Sequence, residues 1–388
     1  MGRFADRLAR PGLQAIAEIK RRSPSAGALR PGAEPGPIAA AYAAAGAAAV
    51  SVLVDARFDG TWDDLRAARE ASDVPLLAKG FFSTEDDLRT AREAGADAAL
   101  LILRDLDDAA TAALLRAAEA LGLDTLVEAH DAEELTRAVR LDAPVIGINA
   151  RDLQTFAIDR RAQLELVAAA PRDRLVVAES GVHTRAQGAA AELAGADAIL
   201  VGSALMQAPD PAEKLAELVS RPLAKVCGLT REEDVEAALD AGADLVGFVL
   251  EPASPRAADR ALPVPETALS VAVWVGEAGD AGTDLDQVHE RAEGKVRGRD
   301  AVLLRDGRPV GRVLDLPWEE DDAGHWERAA AVAREERVML AGGLGPDTVR
   351  DAITAVRPWA VDASSSLETA PGVKDHERIR AYVEAVRA

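Results

Sequence analysis

Residues 15–25 run AIAEIKRRSPS, and their reading sets the fold. From Ile16 to Lys20 apolar and charged residues alternate, the period-2 pattern of a β-strand. Glu18 and Lys20 sit two apart and therefore leave one face of that strand. A carboxylate and an ammonium on a buried face are costly unless they are paired or put to use. Ser23-Pro24-Ser25 then breaks the run into a loop bearing hydroxyls, just past the strand's C-terminal end. In a barrel of parallel strands, that end is where chemistry takes place. An inter-strand ion pair followed by an ordinary turn explains the stretch alone equally well, so the rest of the chain decides.

Apolar runs of strand length recur through the first half, with helical, Ala-rich segments between them. After Ile16–Lys20 they are Val50–Asp55, Leu76–Phe81, Ala99–Leu103, Thr125–Ala129, Val145–Asn149, Leu175–Glu179 and Ile199–Gly202. Strands alternating with helices imply right-handed parallel β-α units, and eight of them predict a (β/α)8 barrel. A doubly wound open sheet is the second choice, weakened because no GxGxxG follows the first strand. Met1 to Gly12 is expected to form a helical turn or two leading into the first strand.

Composition narrows the classes. The 388 residues suit two domains of about 200. Apolar residues make up 48%, enough for a sizeable core in each half. A formal charge of -21, from 66 acidic and 45 basic residues, argues against nucleic acid or an anionic membrane surface. One cysteine permits no disulfide within the chain. No apolar run approaches a membrane span and no signal-peptide core is evident, so a cytoplasmic protein is expected.

The polar residues of the first half collect at strand C-terminal ends. Glu18 and Lys20 are followed by Lys79 in LLAKGF, Glu128 in TLVEAH, Asn149 and Arg151 in IGINARDL, and Glu179 and Ser180 in VAESGV. Gly202 and Ser203 close the set in LVGSAL. Charged or amide groups at the end of most strands converge on one mouth. In Ser180-Gly181 and Gly202-Ser203, small or hydroxylic residues stand where a helix should begin, after strands seven and eight. Backbone N–H groups there suit a phosphate.

These segments resemble indole-3-glycerol phosphate synthase. The resemblance rests on Glu18-Ile-Lys-Arg-Arg-Ser-Pro-Ser25, Ala78-Lys79, Leu126-Val-Glu128, Ile146-Gly-Ile-Asn-Ala-Arg-Asp152, Ala178-Glu-Ser-Gly181 and Leu200-Val-Gly-Ser203, in order over the first 220 residues. It implies closure of an indole ring on a carboxyphenylamino-deoxyribulose phosphate, with loss of carbon dioxide and water. Lys79 is then the general acid, its pKa expected to be drawn toward neutrality by an apolar barrel. Glu128 is the general base and Lys20 a second acid, with Glu18 and Glu179 holding the charge network. Asn149 and Arg151 hydrogen-bond the carboxylate and the developing hydroxyl, Ser23 lies by the carboxylate, and Phe58 and Phe81 wall the aromatic ring. His130 and His183 match no motif and are expected to be structural. Two departures stand out: Gly80 where the family usually has Asp, and a short stretch before the first strand where the family has a longer helical extension.

Ser220-Arg-Pro222 forms a minimal linker, giving expected domains of 1–220 and 221–388. The strand pattern then restarts at Leu223–Thr230 and continues through Leu245–Leu250, Val271–Val275, Gln287–His289, Val302–Leu304, Val313–Asp315, Val338–Leu340 and Ala360–Asp362. Lys225-Val-Cys-Gly228, Val246-Gly-Phe-Val249, Ser254-Pro-Arg256, Gln287-Val-His289, Leu340-Ala-Gly-Gly-Leu344, Val361-Asp-Ala-Ser-Ser365 and Pro371-Gly-Val-Lys-Asp375 are similar to phosphoribosylanthranilate isomerase. The resemblance implies an Amadori rearrangement, with Cys227 as thiolate base and Asp315 as a buried, protonated acid. Arg256 then clamps the anthranilate carboxylate, His289 joins the substrate-binding set, and Gly342, Gly343, Ser364 and Ser365 cradle the phosphate.

Three features of this half depart from the family. Ser366 stands where the family has Gly. Only eight residues separate Val302–Leu304 from Val313–Asp315, with Asp306-Gly307 between them. A parallel crossover needs about a dozen, so a hairpin is expected there and a helix or two is missing. The loop after Asp315, Pro-Trp-Glu-Glu-Asp-Asp, is acidic where the family has glycines.

The expectation is a monomeric enzyme with two tandem (β/α)8 barrels, the second abbreviated in its middle. It takes phosphorylated small-molecule substrates, with no nucleic acid, no membrane, no metal and no cofactor. The alternative keeps catalysis in the N-terminal half and makes the second a non-catalytic stabilising or ligand-binding module.

Overall fold

A computed structural model describes residues 2–23, 27–152, 155–293, 297–316 and 323–388. The chain divides into two compact units, Met1–His183 with Gly188–Val219, and Thr184–Gln187 with Ser220–Ala388.

The first unit is a closed barrel of eight parallel strands. They are β1 (Gln14–Ile19), β2 (Ala49–Leu53), β3 (Leu76–Lys79), β4 (Ala98–Ile102), β5 (Asp124–Ala129), β6 (Val145–Asn149), β7 (Leu175–Glu179) and β8 (Ala198–Val201). Each pairs with its sequence neighbour, and β1 closes the ring against β8. Helix α1 (Arg3–Leu8) precedes β1. Around the barrel lie α2 (Pro35–Ala44), α3 (Trp62–Ala71), α4 (Glu85–Glu93), α5 (Asp108–Ala120), α6 (Ala132–Arg140), α7 (Arg160–Ala169) and α8 (Arg185–Ala194). Two more, α9 (Ser203–Gln207) and α10 (Pro211–Val219), follow β8.

Side-chain caps fix where the outer helices start. Thr61 and Asp64 form a capping box on α3, and Thr84 and Asp87 another on α4. Asp107, Asp131 and Asp159 cap α5, α6 and α7. Each cap contributes about 1 kcal/mol and, more to the point, fixes the loop that precedes it at the mouth. The opposite end is closed by α1. The Asp124 carboxylate at the foot of β5 accepts the N–H groups of Gly2, Phe4 and Ala5 at 2.8, 3.1 and 3.1 Å. Phe4, Ala5 and Leu8 thereby pack against Ile16, Leu77, Leu126 and Leu200. The polar mouth therefore stands on a closed apolar floor.

The second unit is also a closed eight-stranded barrel. Its strands are β9 (Leu223–Cys227), β10 (Leu245–Val249), β11 (Leu269–Val275), β12 (Leu285–His289), β13 (Ala301–Arg305), β14 (Arg308–Asp315), β15 (Val338–Ala341) and β16 (Ala360–Ala363). The expected hairpin is present: β13 runs antiparallel to β14, and also to β12. Its Asp306-Gly307 turn has φ of 49° and 71°, the left-handed conformation that a two-residue hairpin requires.

The loss of helices goes further than a helix or two. Helices α11 (Glu232–Asp240), α12 (Ala323–Glu335), α13 (Val349–Val356) and α14 (His376–Arg387) flank β9, β15 and β16. Among the described residues, the connections after β10, β11, β12 and β13 carry none. The connection after β10 holds Pro252, Pro255, Pro263 and Pro265, each without an N–H to give a helix. The acidic loop after Asp315 lies outside the described residues. No helix among those described is long and apolar enough to cross a membrane.

Candidate functional site

In the first barrel, strand register brings five ionisable groups to one mouth. Glu18 stands beside Ser51, Glu128 beside Ile102, and Asn149 beside Glu179. Lys79 Nζ lies 2.5 Å from Glu179 Oε2, 3.6 Å from Glu18 Oε2 and 3.8 Å from Glu128 Oε2. Lys20 Nζ is 2.9 Å from Glu18 Oε1. All three carboxylates are buried, at 1 to 3% exposure. Gly202 is needed for this arrangement, since a Cβ there would sit 2.5 Å from Glu18 Oε1 and 2.9 Å from Lys20 Nζ.

Lys79 departs from its expected titration. Burial alone would lower its pKa, but Glu179, Glu18 and Glu128 together hold the ammonium far above the usual lysine range. The lysine in an apolar barrel is in fact a lysine among carboxylates, and opposite charge outweighs desolvation. The strain of crowding falls on Glu179, whose pKa burial and the Glu128 carboxylate push up. Glu128 is instead held low against burial by His130, Lys79 and a hydrogen bond from Asn149.

Above this cluster opens a cavity of about 880 Å³. Ser23, Phe58, Phe81, Arg151, Ser180, Gly181, Gly202 and Ser203 line it together with Glu18, Lys20, Lys79, Glu128 and Asn149. Phe58 and Phe81 stack with ring centroids 6.4 Å apart, forming one wall. The Arg57 guanidinium lies 3.6 Å over the Phe81 ring. Ser180 and Gly181, also in the lining, are consecutive left-handed residues, φ 70° and 74°. The Arg151 backbone N–H donates to Asn149 Oδ1 at 3.0 Å, which fixes the orientation of the Asn149 amide.

Arg22, Arg57, Phe156 and His183 also line this cavity and were not picked out as site residues from sequence. His130 was expected to be structural, yet its Nε2 lies 3.2 Å from Glu128 Oε1. The available signal was its place two residues after Glu128, on the same side of the strand's continuation.

The second barrel's mouth holds a cavity of about 350 Å³. Cys227, Arg256, His289, Asp315, Gly342, Gly343, Ser364 and Ser365 all line it. A polar chain crosses its floor. The fully buried Lys225 ammonium donates to Asp362 Oδ2 at 2.9 Å and to Gln287 Oε1 at 2.6 Å. Gln287 Nε2 lies 2.8 Å from His289 Nε2, Arg297 Nη1 3.1 Å from His289 Nδ1, and Arg297 Nη2 2.7 Å from Asp315 Oδ2. Burial, then Arg297 and Lys225, press the His289 pKa down to about 4, so its imidazole is neutral.

Three of these residues have surroundings that the sequence did not announce. Burial pushes the Cys227 thiol up, and Lys225 only partly offsets this. Asp315 is an ion-paired carboxylate facing Arg297, rather than an isolated buried acid. Arg256 is already engaged, its Nε and Nη2 both lying 2.8–2.9 Å from the Glu368 carboxylate. Glu368 also accepts from Lys374 Nζ at 2.9 Å. Ser366 ties the last two strand-end loops together, its hydroxyl donating to the Leu344 carbonyl. Arg297, Glu368 and Lys374 were not among the expected site residues. Glu368 meets Arg256 across 112 residues, whereas Arg297 and Lys374, the latter within the Pro371–Asp375 motif, find partners nearby in sequence.

Comparison with known proteins covers both halves. The family model for indole-3-glycerol phosphate synthase matches residues 2–218. That for N-(5'phosphoribosyl)anthranilate (PRA) isomerase matches residues 323–385, the part of the second barrel where helices alternate regularly with strands. Indole-3-glycerol phosphate synthase of Mycobacterium ulcerans is 44% identical over 55% of this chain and 79% of its own length. The tryptophan biosynthesis protein TrpCF of Yersinia pestis is 34% identical over 96% of this chain and 84% of its own. Among solved structures, TrpF from Jonesia denitrificans is 30% identical, covering 43% of this chain and 97% of that one, with a TM-score of 0.33.

Proposed function

The chain belongs to the family of two-domain tryptophan-biosynthesis enzymes that join an indole-3-glycerol phosphate synthase to a phosphoribosylanthranilate isomerase, and on that premise we propose which residues carry each reaction. We assign the synthase to residues 1–220 and the isomerase to 221–388.

In the synthase, the ring carbon bearing the carboxylate must bond to the ketone carbon of the deoxyribulose chain. The carboxylate then leaves as carbon dioxide, and the new hydroxyl leaves as water with loss of a proton from the adjacent carbon. Lys79 donates to the ketone oxygen. Held as an ammonium by three carboxylates, it starts every turnover charged. Glu179, 2.5 Å away and inclined to hold a proton, resupplies it. Glu128 removes the carbon-bound proton, and Lys20 assists departure of the hydroxyl. Arg151 and Ser23 bind the substrate carboxylate, Phe58 and Phe81 flank its ring, and Ser180-Gly181 with Gly202-Ser203 receive the phosphate. The observation that carries this reading is the meeting of Lys79 with Glu18, Glu128 and Glu179 at one mouth.

In the isomerase, Asp315 takes up a proton beside Arg297 and gives it to the ring oxygen as the aminoaldose opens. Cys227, once ionised to the thiolate, takes the proton from C2. Arg297 holds Asp315, and Arg256, steadied by Glu368, binds the anthranilate carboxylate. Gly342-Gly343 and Ser364-Ser365 take the phosphate. A monomer is proposed because each mouth is built from its own barrel's residues. A cytoplasmic location is proposed from the likeness to a bacterial biosynthetic protein.

The second reading, a non-catalytic C-terminal half, draws on the un-ionised Cys227 and the missing helices. Assaying both turnovers on the full chain decides between them. Isomerase turnover that is lost in Cys227→Ala while synthase turnover stays supports the assignment. A wild-type chain with synthase turnover alone hands the second half to the binding-module reading.

A further inference from the structure

Three buried carboxylates share the synthase mouth with two ammonium groups, Lys20 and Lys79. Two cations cannot neutralise three anions away from water, so one carboxylate takes a proton or finds a further cation. Which one does so decides which can act as a base.

His130 touches only one of the three. It follows β5 directly, and its side chain is 3% exposed. Nε2 lies 3.2 Å from Glu128 Oε1 and Nδ1 3.0 Å from Glu134 Oε2. The backbone explains the geometry. Asp131 caps α6 by accepting from the Glu134 N–H at 2.8 Å, which places Glu134 at the third helical position, turned back toward the cap. Its carboxylate then accepts from both the His130 backbone N–H, at 2.8 Å, and the ring. The sequence Glu128-Ala-His-Asp-Ala-Glu-Glu134 is thus a local device that sets an imidazole between two carboxylates.

We propose that His130 is a positioning residue of the synthase, anchored by Glu134, which supplies the further cation and holds the Glu128 carboxylate in place and in its charged form. This rests on Glu128 being the base. The groups facing the imidazole are Glu128 from β5 and Glu134 from α6. Behind them stand Arg104, 3.8 Å from Glu134, Lys79, 3.8 Å from Glu128, and Asn149 hydrogen-bonded to Glu128. Electrostatics agree with this arrangement: the two glutamates raise the imidazole pKa to about 9 against burial, so it is a cation at neutral pH. Among the described residues, Glu179 pairs with Lys79 alone of the cations. Glu179 Oε1, Glu18 Oε2 and His130 Nε2 all lack a hydrogen-bond partner among those residues, so His130 acts on Glu128 as a charge 3.2 Å away.

The test is the pH dependence of synthase kcat/KM in the full chain, with isomerase turnover of the same protein measured alongside. Removing the imidazolium raises the Glu128 pKa, so the base is protonated at higher pH. In His130→Asn the acidic limb should move up by about 1–3 pH units, the span that a close opposite charge controls. Glu134→Gln should move it in the same direction by less. A limb that stays where it is in both variants, even with reduced turnover, makes His130 merely structural and overturns the proposal. Should His130→Asn fail to fold, Glu134→Gln and the wild-type ring decide: ¹⁵N NMR at pH 7.5 should find His130 doubly protonated, and a neutral ring overturns the proposal. Glu128→Gln separates the two assignments. If it stays active, the base assignment itself falls; if it is inactive while the His130 profiles are unmoved, only the present inference falls.

Discussion

Lys79 Nζ and Glu179 Oε2 meet at 2.5 Å, although a hundred residues of chain separate them. The contact joins the third strand to the seventh across the barrel mouth, and it sets the charge state of both groups. Replacing Lys79 by Met should remove the acid and the one cation within reach of all three carboxylates. Synthase kcat should fall by roughly 10²–10⁴, with isomerase turnover unchanged. Near-normal indole-ring formation in Lys79→Met would defeat the assignment.

The isomerase should show an alkaline preference. The Cys227 thiol is pushed up by burial, so at pH 7 only a small fraction is thiolate. Where the thiolate is the base, kcat/KM should rise about tenfold per pH unit on the limb below the thiol's pKa. The free thiol should also react slowly with iodoacetamide at neutral pH. A flat or falling isomerase profile between pH 7 and 9 would mean that Cys227 does not act as an ionised base.

Gly80 is bound to this chain's own packing. A Cβ at that position would meet the Phe82 ring at 2.8 and 3.0 Å and Val54 at 3.2 Å. Phe82 cannot easily retreat, since it stacks on Trp62 with centroids 5.9 Å apart. Gly80→Asp should therefore destabilise the first barrel by about 1–3 kcal/mol, the usual cost of overpacking. Differential scanning calorimetry should register the loss, and Phe82→Leu in the same chain should recover part of it. No change in Tm on adding Asp would refute the steric account.

Arg256 depends on Glu368 for its orientation. The carboxylate engages the Nε and Nη2 edge of a guanidinium that lines the cavity. Glu368→Ala should raise the isomerase KM by about tenfold, in line with loss of a hydrogen bond to a charged group, with a smaller effect on kcat. Steady-state kinetics that show kcat falling while KM is constant would place Glu368 in the chemistry instead.

Much of the first site was legible because it is written in strands. Val145–Asn149 and Leu175–Glu179 coincide with β6 and β7, since each apolar run ends abruptly in the polar residue that faces the mouth. The hairpin at Asp306-Gly307 was equally legible, as turn chemistry is local. Charge was not. Lys79 looks like a lysine in apolar surroundings until strands far off in sequence bring Glu18, Glu128 and Glu179 to it. Glu368 and Arg256 are 112 residues apart, and nothing local to either announces the other. The missing helix after β10 could have been foreseen from its four prolines, and the one after β11 from a connection of only nine residues with three glycines.

The reversed strand β13 has a practical corollary. Because it runs against β12 and β14, its turn at Asp306-Gly307 lies at the foot of the barrel, the far end from Asp315. A reporter peptide inserted there, or new termini opened there by circular permutation, would never approach the substrates. Exposed turns of small polar residues are the sites that accept such surgery. The second barrel thus offers a handle for immobilising or labelling the enzyme with both of its reactions left running.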